Sequence, residues 1–150
     1  MTRLLALLPL LLLLGSAAYR GPLAPAAYSR DPILQGPEAA ALKTGAPEAT
    51  IRGFRFAESS GRPDPVHALP TVQGAYGLDQ RWHAEREAKY GSFDELEPYG
   101  AAYVTARLYL DNLARLGNED QAIAAHFQGV RGVRRDGVCA EYVERVRTGI

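Results

Sequence analysis

Cysteine is almost missing from this 150-residue chain; Cys139 stands alone. A single thiol cannot close an internal disulfide, and no set of Cys and His has structural-zinc spacing. Cys139 is expected to be buried and inert rather than a nucleophile. Net charge is missing too, because 17 Lys and Arg balance 17 Asp and Glu. That balance gives no broad electrostatic case for nucleic acid or for an anionic membrane as partner. Histidines are few, and His67, His83 and His126 sit at spacings that match no helical ligand pair. Neither a metal nor a cofactor is expected. No apolar run reaches the roughly 20 residues that a membrane-spanning helix needs.

What the chain has begins with its first residues. Arg3 leads an apolar run over residues 4–14, broken only by Pro9, and Gly15, Ser16, Ala17 and Ala18 follow. This is the layout of a secretory signal peptide, residues 1–18, with cleavage after Ala18. The alternative is an uncleaved anchor. No cysteine follows the run, so lipid attachment is not expected. The mature chain is expected outside the cytoplasm, in the periplasm or cell envelope. Residues 19–43 are rich in Ala, Pro and Gly, with Pro22, Pro25, Pro32 and Pro37 spread through them. Prolines at this density oppose helices and paired strands, so the segment reads as a linker with at most a short helical piece at 38–42. Residues 44–150 then form one domain.

Within that domain the patterning is helical. A first helix is predicted from Pro47, whose missing N–H costs nothing in a first turn, to Ser60-Gly61, with Pro63 and Pro65 barring continuation. Residues 66–69 and 71–73 could pair as a short hairpin. A second helix is predicted over 78–89. The strongest signal spans 98–116, where Ala102, Tyr103, Ala106, Tyr109, Leu110, Leu113 and Leu116 form an apolar stripe. Asn118, with Gln121 three residues on, resembles a capping box opening a helix that ends at Gly129. A last helix covers 139–147, with Tyr142, Val143 and Val146 turned inward. The fold class is thus mainly α, about five helices with at most a short β-hairpin. The cluster Arg131, Arg134 and Arg135 reads as a solvated helix flank, or as an attraction for acidic wall polymers.

Three motifs carry the chemistry. Glu58-Ser59-Ser60 comes first, then Gly74-Ala75-Tyr76-Gly77-Leu78-Asp79-Gln80, then Ala122-Ile123-Ala124-Ala125-His126-Phe127-Gln128-Gly129. Their order and spacing resemble the soluble lytic transglycosylase family, related to goose-type lysozymes, over roughly residues 47–147. The first two motifs match well and the third in part. The resemblance implies a lysozyme-like fold. It also implies cleavage of the β-1,4 bond between N-acetylmuramic acid and N-acetylglucosamine in peptidoglycan, with a 1,6-anhydro product.

Cleaving a glycosidic bond needs a proton for the leaving oxygen and stabilisation of an oxocarbenium-like transition state. A carboxyl near the negative end of a helix dipole, against apolar side chains, suits that acid role. By the resemblance Glu58 is the single acid and base, with Phe54, Phe56 and Ala57 as its wall. The alternative for Glu58 is a helix-end residue in a surface ion pair. Expected substrate contacts are Ser60, Gly74, Tyr76, Gln80, His126, Gln128 and Tyr142. Gly74 and Gly77 permit turns and close approach of backbone to a sugar. Tyr76 offers a ring face, and Gln80 an amide for an acetamido group or hydroxyl.

The chain also departs from the family pattern. Asp79 stands where methionine is common, and His126-Phe127 replaces Tyr-Asn. His126 retains a hydrogen-bond donor, whereas Phe127 offers packing only, with Gln128 as a replacement contact. These departures support an alternative, a weakly active or inactive lysozyme-fold protein that binds peptidoglycan or serves as adaptor in an envelope protein complex. The expected state is a monomer.

Overall fold

The computed structural model describes residues 32–149, with side chains over 36–149; the leader at 1–18 and residues 19–31 lie outside the described residues. The architecture is mainly α with one short hairpin. In chain order come α1 (Pro32–Thr44), α2 (Glu48–Ser59), β1 (Val72–Gln73), β2 (Leu78–Asp79), α3 (His83–Tyr90), α4 (Pro98–Leu116), α5 (Glu119–Asp136) and α6 (Ala140–Thr148). A turn of 3-10 helix, Gln80–Trp82, joins β2 to α3. Among the described residues no helix is long and apolar enough to cross a membrane.

The helix α1 corrects the linker reading for residues 32–43. Pro32 is its first residue, where an absent N–H is harmless. Pro37 lies inside and removes one backbone bond, yet it is fully buried. A side chain at Gly36 would overlap the backbone of Pro98, so α1 lies directly against the start of α4. Packing against α4 offsets the helix-breaking cost, about 3 kcal/mol for an interior proline. Counting prolines in sequence cannot see that partner.

The long helix α4 is the centre, packed on α1 and α5. Its buried residues, including Ala101, Ala102, Val104, Ala106 and Tyr109, cover a wider arc than the predicted stripe, and small side chains dominate it. Leu110, Leu113 and Leu116 sit at the margin of the core. Two flanking helices demand this arrangement, since small residues let both approach closely. The helix stops at Gly117, left-handed at φ 69°.

Helix α5 starts as predicted, with the Asn118 side chain accepting from the Gln121 N–H at 3.0 Å. Its first stretch ends, as expected, at Gly129, where φ 69°, ψ 160° is non-helical; a second helical stretch then continues to Asp136 across the kink. The hairpin also differs from expectation. Val72 pairs with Asp79 and Gln73 with Leu78, antiparallel, so the strands enclose the 74–77 turn instead of preceding it. The helix predicted from 78 consequently begins only at His83. Glycine-rich turn chemistry at 74 and 77 outweighs the weak helical pattern of that stretch.

Candidate active site

Helix α2 delivers Glu58 in its last turn. Ile51, Phe54 and Ala57 face the core, so Glu58, next to Ala57, reaches the edge of that buried face and is half-buried. The helix ends at Ser60, left-handed at φ 52°, whose N–H donates to the Phe56 carbonyl at 2.8 Å. Close approach of α6 is possible because Gly53 lies against the Val146 carbonyl, where any Cβ would collide. Arg145 of α6 donates to the Ala57 carbonyl, a favourable place for a cation near a helix C-terminus. One turn earlier on α6, the Tyr142 hydroxyl donates to Glu58 Oε1 at 2.6 Å. Tyr142 is therefore both a core residue and a direct partner of Glu58. Burial, then the neighbouring Glu58 charge, holds its phenol well above the ordinary value, so it remains a neutral donor.

The other carboxylate oxygen, Oε2, lies against Gly77. A Cβ at Gly77 would overlap it, and Gly77 is left-handed at φ 61°. Both the turn and the carboxylate thus require glycine there. The Gly77 N–H donates to the Gly74 carbonyl at 3.2 Å, which closes the turn. The same carbonyl is also 2.9 Å from His67 Nε2. His126 fixes the turn from α5. Its Nε2 lies 3.0 Å from the Tyr76 carbonyl, and its ring packs on Phe54 with centroids 4.7 Å apart. A carbonyl only accepts, so His126 must carry the proton on Nε2. His126 is expected from sequence as a substrate contact; in the fold its Nε2 is engaged with the backbone of the turn that lies against Glu58.

Other expected contacts are placed differently. Tyr76 is 1% exposed and belongs to the core. The Gln80 amide donates to the Leu78 carbonyl at 3.2 Å and to Glu95 at 3.4 Å, so it is turned into the protein. Gln128 donates to the Gly137 carbonyl at 3.2 Å and accepts from the Cys139 N–H at 2.9 Å, clamping the α5–α6 connection. Ser60 is exposed at the end of α2, and Gly74 serves the turn. Phe54 is fully buried beside Ala57, whereas Phe56 is 47% exposed and packs on Gly149 instead of walling Glu58. Cys139 is half-buried before α6.

The Asp79 carboxylate of the hairpin is not free to share the chemistry. Asp79 Oδ2 pairs with Arg81 at 2.5 Å, and that bond draws its pKa down to about 2. Among the described residues Glu58 makes no ion pair. No group of three or more metal-ligating side chains comes together there either. A cavity of about 210 Å³ opens behind the turn between Pro37, Arg55, Asp64, Tyr76, Leu96 and Pro98, but Glu58 does not line it.

Sequence reasoning missed one element of the site. Arg86 and Glu95, both buried, form a two-pronged ion pair, with Arg86 Nη1 also donating to the Asp79 carbonyl at 3.0 Å. His83 Nδ1 lies 3.2 Å from Glu95 Oε2, within ion-pair range but without hydrogen-bond alignment. This cluster ties the end of the hairpin to α3 and to the segment before α4. Nothing periodic in the sequence signals it. No protein-family model, no curated protein and no solved structure matches the chain.

Proposed function

We propose that the chain is a peptidoglycan lytic transglycosylase that acts through Glu58 alone. One observation carries the reading. A half-buried carboxyl is gripped between a neutral hydroxyl, Tyr142, and the backbone of a glycine turn, with no ion pair on it among the described residues, while the Asp79 carboxylate of the same hairpin is held by Arg81. Glycosidases that use water place two carboxyl groups across the scissile bond. A single carboxyl suffices when the sugar supplies its own nucleophile. Protonated Glu58 gives its proton to the bridging oxygen, and the C1–O bond breaks. The resulting carboxylate takes the proton of the C6 hydroxyl as that oxygen bonds to C1. Water is not consumed, and the product carries a 1,6-anhydro end. Tyr142 donates to Oε1 in both halves of the cycle. Export to the periplasm or cell envelope and a lysozyme-like fold belong to the same reading.

A second reading is a glycan-binding or adaptor protein of the envelope without turnover. The amides of Gln80 and Gln128, engaged by the protein itself, favour it, because they leave fewer polar groups for sugar. Incubation with purified sacculi separates the two. The transglycosylase releases anhydro-ended muropeptides, each lighter by one water than its hydrolytic counterpart. Hydrolytic ends would make the protein a lysozyme, and no release would leave the binding role.

A further inference from the structure

We propose that Phe127 is the aromatic platform of a sugar subsite beside Glu58, one that takes the apolar face of a β-1,4-linked N-acetylhexosamine; this rests on the glycan reading above. Phe127 is 64% exposed on a helix whose neighbouring residues, Ala122 to Ala125, are buried. The fold does not need its ring for the core. The ring nonetheless has a packing partner. It lies parallel to Tyr142, with centroids 5.1 Å apart and planes 17° from each other. Tyr142 in turn reaches Glu58 Oε1 at 2.6 Å. One face of Phe127 is thus covered by the residue that holds the acid, and the other is open to solvent.

The backbone around it is pinned as well. His126, one residue before, bonds to the Tyr76 carbonyl. Gln128, one residue after, bridges Gly137 and Cys139. Helical geometry breaks at Gly129 immediately beyond. A ring that does not move on binding loses little entropy when a ligand covers it. The apolar C–H face of a pyranose can lie flat on such a ring while its hydroxyls stay in water, so no polar group is stranded. Loss of the amides of Gln80 and Gln128 from the glycan would shift recognition onto this ring.

Binding is measured separately from cutting. The full-length Glu58→Gln protein is titrated with β-1,4-linked N-acetylglucosamine oligomers, and Phe127→Ala, Phe127→Leu and Phe127→Trp are added to that background; wild type and Phe127→Ala are assayed for turnover on sacculi. The proposal expects Ala and Leu each to weaken oligomer binding at least tenfold, Trp to retain it, and thermal melting to stay near that of the parent. Rescue by Leu would reduce the ring to a prop for Tyr142 and overturn the proposal. Undiminished binding by Phe127→Ala overturns it while leaving the transglycosylase reading intact. Ring-dependent binding without turnover in wild type upholds the subsite and removes the enzymatic reading. No oligomer binding by Glu58→Gln itself, as for a surface that docks protein, overturns both.

Discussion

Two glutamates flank the 72–79 hairpin, and the regions around them are built in opposite ways. Glu95 is 3% exposed, joined to Arg86, near His83 and bonded by Gln80. Glu58 is half-buried and has a single neutral donor and a glycine backbone for company. A buried charge that is fully paired fixes structure and has no free role in proton transfer. A carboxyl held by a hydroxyl keeps its geometry without surrendering its proton chemistry to a cation. Glu95 anchors the hairpin, and under the proposed function Glu58 is the group that reacts.

The largest expected effect lies on the anchoring side. Arg86→Leu strands a buried carboxylate and should cost about 3–5 kcal/mol, read as a shift in urea midpoint. The same pair gives a pH signature. Burial alone would raise Glu95, but Arg86 and His83 outweigh it and hold the group below its ordinary 4.5. The unfolded chain therefore takes up the proton first as pH falls. Stability from the pair is complete above 4.5 and is lost as pH drops through the lower folded value. Thermal melting followed from neutral to acid pH should show that loss, and Glu95→Gln should flatten it.

Gly77→Ala comes next, because it disturbs the reactive side directly. Left-handed backbone costs alanine about 1–2 kcal/mol, and the new methyl displaces the Glu58 carboxylate. Turnover on sacculi should fall at least tenfold. Gly74→Ala is the control: its φ of 72° is left-handed as well, but its Cβ meets nothing closer than 3.5 Å, so it should lose similar stability and keep most turnover. Equal activity losses at both positions would remove the special place of Gly77. A smaller effect belongs to Tyr142→Phe. It keeps the packing on Phe127 but removes one hydrogen bond to a charged group, about 1.5–3 kcal/mol before water substitutes for the missing donor. A several-fold drop in kcat with little change in melting is expected.

How far the sequence foretold all this depends on what each feature needs. Helices α2, α4 and α6, and the start of α5, follow from local rules, namely apolar spacing, Asn118 as a cap and glycine stops. Helix α1 did not, since its prolines are tolerated only through packing on Pro98 and its neighbours in α4. The hairpin register slipped because residues 66–73 and 78–82 have weak patterns and the glycine turn decides the pairing. The motifs located Glu58, Gly77 and Tyr142, which the fold brings together from residues as much as 84 positions apart. They did not show which groups of the fold Gln80, His126 and Gln128 bond to. An amide or imidazole takes whichever carbonyl or N–H the tertiary fold presents, and those partners lie on other elements. Arg86 and Glu95 were illegible for the same reason.

The central claim is that Glu58 transfers the proton, and the most direct measurement compares wild type with Glu58→Gln on purified sacculi, with released muropeptides weighed by mass spectrometry. The account predicts anhydro-ended products from wild type and a rate lower by about 10²–10⁴-fold in the variant, at unchanged melting temperature. Equal release by both proteins would contradict it.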